Sequence, residues 1–234
     1  MATSNHEKYS RLVLMLVNGG TKITRALFEK LVKERTPKNH GQSPWTVDEF
    51  LHANKQKVIG TQTGRSKERT FFPGASGTNM EHWDLYMFCF VLIEVCGVTD
   101  TVRMDVCDLR KLRNKLCHLR EPSIDNDKYD HYVVKISVIY KRLLTEIDDQ
   151  NLKEEIDAIL EAAKHGPLSL PETLNVMHKF YSMEEETREM LSQQSKDIKE
   201  IMERIKEMES KQDMYFKNRL PKDMETVKVP FREQ

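Results

Sequence analysis

The sequence lacks any long apolar run, and this absence excludes a membrane-spanning helix. Apolar residues make up 38% of the chain and charged residues 32%. The longest unbroken apolar run, residues 85–93, is far shorter than the roughly 20 residues that cross a bilayer. Residues 1–10 are polar and contain no apolar segment of a secretory signal. We therefore expect a soluble, cytoplasmic protein without a membrane partner.

An excess of charge of either sign is also lacking. Lys and Arg together number 37, as do Asp and Glu, so the formal net charge is zero. A neutral protein has no overall field that attracts nucleic acid or an anionic surface. An anionic partner must therefore be bound by a local basic patch.

Closely paired cysteines and glycine-rich phosphate loops are missing as well. The four cysteines are Cys89, Cys96, Cys107 and Cys117. Their spacing does not match a zinc site, so buried free thiols in a reducing compartment are expected. Because no metal cluster or nucleophile–base set is visible, we predict no metal and no cofactor, and a small-molecule enzyme has little support.

Apolar residues recur at helical spacing and predict an all-α core of about four to five helices. The first helix is expected to stop at Gly19-Gly20, and Thr21 can cap a second helix that Pro37 ends. Residues 36–79 are rich in Gly, Pro, Ser and Thr and indicate a long connection with one short helix. Further helices are predicted over residues 83–96, 102–118, 129–147 and 151–164.

The last third of the sequence is highly charged and shows a heptad pattern that is typical of a coiled coil. The apolar positions of this pattern are Met177, Phe180, Leu191, Ile198, Ile201, Ile205, Met208 and Tyr215. A solitary charged helix that packs on the core through its first turns is the alternative. The predicted parts are a helical bundle (1–148), a short helix and linker (149–171), a long coiled-coil helix (172–217) and a flexible tail (218–234).

The predicted helix over residues 102–118 combines an apolar arc with local positive charge. The apolar arc contains Val102, Val106, Leu109, Leu112 and Leu116. Arg113 falls inside this arc, where a guanidinium without a partner would be costly. In one interpretation Arg113 forms a structural ion pair with Asp84, Glu94 or Asp105, and His118 caps a helix end.

Arg113, Asn114 and His118 could instead act on a phosphodiester. Arg binds phosphate through two contacts, His exchanges a proton near neutral pH, and Asn orients either group. On an ideal helix Arg113 and His118 point about 140 degrees apart. One chain therefore brings them together only if the helix loosens near Cys117, and otherwise a second copy must supply the missing partner.

Five short segments occur in an order that resembles the HEPN family. They are Gly20-Thr21 with Arg25, Phe72-Pro73-Gly74, Trp83-Asp84-Leu85, Val95-Cys96-Gly97 and Arg113-Asn114-Lys115-Leu116-Cys117-His118. The similarity covers about residues 8–147 and is to the subgroup of the DAZ-interacting RING-type ubiquitin ligase. It implies an up-and-down helical bundle that forms a homodimer through its motif helices. It also implies RNA binding or metal-independent endoribonuclease activity.

The resemblance assigns the catalytic roles to Arg113, Asn114 and His118, which match the family motif position for position. The remaining basic residues of the segment are expected to contact RNA. These are Arg110, Lys111, Lys115 and Arg120. The alternative expectation is a catalytically silent dimerisation or scaffold module of an innate-immune-type signalling protein, with signalling proteins as partners.

Overall fold

The computed structural model describes residues 4–41, 43–169, 171, 173–178, 180, 181, 203 and 208. These residues form helices and turns and contain no strand, so the predicted all-α class is confirmed. The chain divides into two units, Met1–Glu185 and Glu186–Gln234, and the first is described below. Among the described residues, no helix is long and apolar enough to cross a membrane.

The helices of the first unit follow one another with short connections. The α-helices are α1 (Asn5–Leu14), α2 (Thr21–Glu34), α3 (Val47–Ala53), α4 (Lys55–Ile59), α5 (Gln62–Ser66), α6 (Glu68–Phe71), α7 (Leu85–Phe90), α8 (Asp100–Cys117), α9 (Asn126–Ile147) and α10 (Gln150–His165). Two π-helical segments, Met15–Gly20 and Val91–Val95, extend α1 and α7. Single 3₁₀ turns lie at Gly74–Ser76 and Met80–His82.

The first helix does not stop at Gly19-Gly20, and that expectation is wrong. α1, the first π-helical segment and α2 are continuous, and no side chain caps the start of α2. The glycines instead permit a close approach, because a Cβ on Gly19 would lie 2.8 Å from Cε2 of Tyr140. Tertiary packing has therefore overridden the local preference of glycine for a helix end.

The connection over residues 36–79 is more helical than predicted, with four short helices, α3 to α6, in place of one. Thr46 and Glu49 form a capping box at the start of α3, and the hydroxyl of Thr61 caps α5. Phe50 and Phe71 are 1% and 0% exposed. Such short helices are marginal alone, so the caps and this burial stabilise them.

Helix α8, which carries the candidate motif, runs antiparallel to α9. Arg142 near the end of α9 donates from Nε to Oδ2 of Asp105 at 2.8 Å. Further along α8, Asp108 lies 2.9 Å from Nζ of Lys135, and the ammonium of Lys115 lies over the ring of Tyr132. These contacts fix the rotation of α8, which turns Arg113 towards the core.

Helix α10 and the residues after it pack on the same core. The guanidinium of Arg11 in α1 donates to the carbonyl oxygens of Ala163 and Gly166 at 2.8 and 3.1 Å. Val176 and Phe180 are 5% and 4% exposed. The unit thus includes residues beyond 148, the predicted end of the bundle. Apart from the described residues between 173 and 181, Glu203 and Met208, the predicted coiled coil (172–217) and tail (218–234) lie outside the described residues.

Candidate active site around Arg113

Arg113 is held inside the protein by the regular course of α8. The side chain is 11% exposed, as the apolar arc of this helix predicted. Nη2 lies 3.5 Å from Oδ2 of Asp84, and Nη1 lies 3.5 Å from Oδ1 of Asn114. The guanidinium carbon also lies 5.9 Å from the ring centre of Tyr86 and 5.5 Å from that of Phe180. Arg113 is therefore a buried cation with one carboxylate neighbour and two aromatic neighbours.

Of the three acidic residues that the sequence suggested as partners of Arg113, Asp84 is the one that pairs with it. Asp105 is instead bound by Arg142, and Glu94 is exposed. Both distances from the guanidinium, 3.5 Å, are at the outer limit for a hydrogen bond, since charge-assisted bonds are normally below about 3 Å. The pairing is thus present but weak.

The carboxyl of Asp84 also caps α7, accepting a hydrogen bond from the backbone N–H of Met87 at 2.9 Å. Burial raises the pKa of Asp84 above its ordinary value, and this effect exceeds the opposing influence of Arg113 and of the Met87 N–H. A carboxyl with a raised pKa next to a cation is a common sign of a functional site. Asp84 and Arg113 therefore form a pair of the kind that is found at functional sites.

His118 lies just beyond the end of α8. Its backbone N–H still donates to the carbonyl oxygen of Asn114 at 3.1 Å, an α-helical bond, and its side chain is exposed. The helix does not loosen before His118, so the single-chain route to a joined Arg113 and His118 is absent. Asn114 is half-buried between them. One chain therefore presents the three motif residues at different depths.

The predicted RNA-contacting residues lie on the outer side of α8 and just after it. Lys111, Lys115 and Arg120 are exposed, and Arg110 is half-buried. Nζ of Lys111 is 3.9 Å from Asp108, whose other oxygen binds Lys135. The acidic residue lowers the positive potential of this face. Whether these residues bind RNA stays a prediction.

A cavity of about 550 Å³ adjoins Arg113 and Asp84. Its walls are formed by Leu16, Val17, Asn18, Thr21, Lys22, Arg25, Glu81, His82, Trp83, Asp84, Leu85, Arg113 and Phe180. Sequence reasoning missed this cavity, and Phe180 was assigned to a coiled-coil seam. A signal was nevertheless present, because three of the five HEPN-like segments contribute to the walls.

In the part of the chain that the structure describes, no group of three His, Cys, Asp or Glu residues could hold a metal ion. Comparisons with protein-family models, curated proteins and solved structures found no match. The assignment of a function therefore depends on the residues and geometry of the site.

Proposed function

We propose that the chain is a HEPN-type module that dimerises through α8, binds RNA and cleaves it without a metal. The observation that supports this proposal best is the meeting of HEPN-like segments at one cavity. Thr21 and Arg25, the segment 83–85, and Arg113 are far apart in the sequence, yet all line it. A buried arginine beside a carboxyl of raised pKa lies at the same place.

The proposal requires a second copy because α8 is regular up to Cys117. In a two-fold dimer, a residue of one copy that contacts the other has a symmetry-related counterpart. His118 of one subunit can then complete the site that Arg113 and Asn114 begin in the other. Each dimer would contain two such composite sites.

The proposed reaction uses the RNA's own nucleophile. One imidazole accepts the proton of a ribose 2′-hydroxyl, whose oxygen attacks the adjacent phosphorus. The bond from phosphorus to the 5′-oxygen breaks, and the same imidazole, now protonated, donates that proton to the 5′-oxygen. The products are a 2′,3′-cyclic phosphate and a 5′-hydroxyl. Arg113 stabilises the negative charge on the phosphoryl oxygens, and Asn114 orients the guanidinium through its 3.5 Å contact.

A catalytically silent dimerisation or scaffold module is the second candidate. The contact between Arg113 and Asp84 favours it, because a guanidinium that stays with a buried carboxylate contributes to stability and not to phosphate binding. In this case the exposed faces of the bundle would bind signalling proteins. Both candidate functions predict a dimer, but only the first predicts that the protein binds and cleaves RNA.

Complementation between two inactive variants tests the proposal. Arg113→Gln and His118→Ala are purified separately, and each is incubated with single-stranded RNA in a buffer that contains a chelator. Each alone should be inactive. After subunit exchange in an equal mixture, about a quarter of the sites should be complete, because half of the dimers are mixed and each has one intact site.

His165→Ala is the matched control, since His165 is exposed and lies outside the motif. It should retain wild-type cleavage. Cleavage by the wild type without recovery in the mixture would contradict the two-copy site. A wild-type dimer that neither binds nor cleaves RNA at low salt would favour the scaffold.

A further inference from the structure

We propose that the cavity beside Arg113 binds one unstacked nucleotide of a single-stranded RNA, with its phosphate at the guanidinium and its base against the apolar side chains of the lining. This inference rests on the proposed function, because it names the unit of RNA that enters the site. It adds a binding pocket to a surface that the sequence presented only as a basic helix.

The size and lining of the cavity fit such a ligand. Its volume of about 550 Å³ lies within the range of roughly 300–1,000 Å³ found for small-ligand sites. The apolar side chains that line it include Leu16, Val17, Leu85 and Phe180, and the polar ones include Arg113 and Asn18. A flat base and a charged phosphate therefore each have a suitable environment.

Arg113 has the capacity to bind a phosphate. A guanidinium has five N–H donors, and those of Arg113 reach two acceptors among the described residues, both at 3.5 Å. A buried cation with such weak contacts is poorly compensated. A phosphate could accept two parallel, shorter hydrogen bonds from the same group.

The other two cations of the cavity wall already have close acidic partners. Arg25 donates to Glu29 at 2.9 Å and to Glu81 at 2.7 Å, and Lys22 forms an ion pair with Glu155. Arg113 is thus the least satisfied of the three cations that line this cavity. The phosphate is therefore assigned to Arg113 and not to Lys22 or Arg25.

Asn18 supplies a group that can recognise a base. It lies in the first π-helical segment, is half-buried and lines the cavity. Single-stranded RNA is commonly recognised through the edges of unstacked bases, and a carboxamide offers both a donor and an acceptor. π-Helical turns are also frequent at functional sites.

The phenyl ring of Phe180 completes the pocket. It is 4% exposed and lies over the guanidinium of Arg113, 5.5 Å from its carbon to the ring centre. Arginine and aromatic side chains are the groups on which proteins stack unpaired bases. A base that enters the cavity would therefore meet Phe180 beside the residue that holds its phosphate.

Calorimetric titration of the full chain tests the inference with four probes: adenosine 5′-monophosphate, adenosine, ribose 5-phosphate and a five-nucleotide oligoadenylate whose 2′-oxygens are methylated, so that it cannot be cleaved. The monophosphate should bind more tightly than either of its two fragments. Arg113→Gln should weaken binding of the two phosphate-containing small probes and leave adenosine unchanged. Asn18→Phe should fill the cavity without removing a charge and weaken the monophosphate and the oligoadenylate about tenfold or more.

Asn151→Phe is the matched control, because Asn151 is an exposed helical residue of α10. It should bind all four probes like the wild type, and thermal melting should show that each variant is folded. The inference is overturned if the wild type does not bind the monophosphate, or if Asn18→Phe binds it normally. Binding of the monophosphate but not the oligoadenylate would also overturn it, since the site would then take a free nucleotide.

These outcomes are separable from those of the complementation test. Restored cleavage in the mixed dimer, together with no effect of Asn18→Phe on the probes, would retain the proposed function and reject the pocket. Specific nucleotide binding without cleavage by the wild type would retain the pocket and reject the nuclease.

Discussion

The hydroxyl of Tyr140 donates a hydrogen bond of 2.8 Å to the main-chain carbonyl oxygen of Met15, where α1 passes into the first π-helical segment. Tyr140 is fully buried in α9, and burial raises the pKa of its hydroxyl, so the donor keeps its proton. The bond joins α9 to the helical turn that presents Asn18 to the cavity. The geometry of the cavity wall therefore depends on a contact with α9.

Gly19→Ala should destabilise the protein by up to about 2 kcal/mol. The added Cβ would lie 2.8 Å from Cε2 of Tyr140, and overpacking of a buried site costs roughly 1–3 kcal/mol. Higher helix propensity of alanine offsets about 1 kcal/mol of that cost. Urea denaturation of both proteins measures the difference in the free energy of unfolding.

The sign of this effect should depend on the ring of Tyr140. In a Tyr140→Leu background the ring is gone, so Gly19→Ala should stabilise the protein by up to about 1 kcal/mol through helix propensity. Equal destabilisation by Gly19→Ala in both backgrounds would show that the close approach of the Tyr140 ring is not the reason that position 19 requires glycine.

The sequence predicted the long helices well because their apolar periodicity matches the burial that they achieve. The predicted helix at 102–118 and the observed α8, Asp100–Cys117, differ by two residues at the start and one at the end. The burial of Arg113 followed from the same periodicity. Local pattern and tertiary packing agree in this part of the chain.

Other features could not be predicted, because distant residues determine them. The helix continues through Gly19-Gly20, where Tyr140 packs against the glycines. Local helix propensity takes no account of a residue so distant in the sequence. Phe180 fits a heptad, yet an apolar residue at helical spacing packs equally well on a bundle. Only its position beside Arg113 shows which surface it covers. The cavity, likewise, arises from the meeting of separate segments.

Arg113→Met should cost about 1–3 kcal/mol in stability, because it removes the guanidinium that lies 3.5 Å from the buried carboxyl of Asp84 and leaves Lys67 as the cation that acts on that carboxyl. Lys111→Met on the same helix is the control and should change stability by less than about 0.5 kcal/mol, since Lys111 is exposed. Thermal and urea unfolding give both values. Similar small effects for the two variants would show that the contact between Arg113 and Asp84 contributes little.

Asp84→Asn should alter the pH dependence of stability in a defined direction. The pKa of Asp84 is raised in the folded state from the model-peptide value of 3.8, by burial. Between that value and the raised one, the folded protein binds more protons than the unfolded chain, so stability falls as pH rises. Asparagine can still cap α7 but does not titrate. The variant should therefore gain stability relative to the wild type as pH rises above about 4.

Asp125→Asn is the matched control of opposite sign. Asp125 caps α9 as Asp84 caps α7, but its pKa is lowered by hydrogen bonds from the side chain and the backbone of Lys128. The stability that Asp125 contributes to the wild type is therefore lost as pH falls through the lowered pKa. This variant should lose stability relative to the wild type as pH rises towards about 4. Parallel pH profiles for the two variants would contradict the assignment for Asp84.

Phe180→Ala should release the described residues between 173 and 181 from the core. Phe180 is 4% exposed, whereas Leu174 in the same segment is 60% exposed, so Leu174→Ala is the control. Removal of a buried phenylalanine costs about 3–5 kcal/mol, and a segment near the end of the unit can respond by opening locally. Hydrogen exchange should therefore quicken at 173–178 in Phe180→Ala and stay unchanged in Leu174→Ala.

Because the ring of Phe180 also covers Arg113, Phe180→Ala should also weaken binding of adenosine 5′-monophosphate. Normal exchange and normal binding would mean that Phe180 neither anchors the segment nor forms a wall of the cavity.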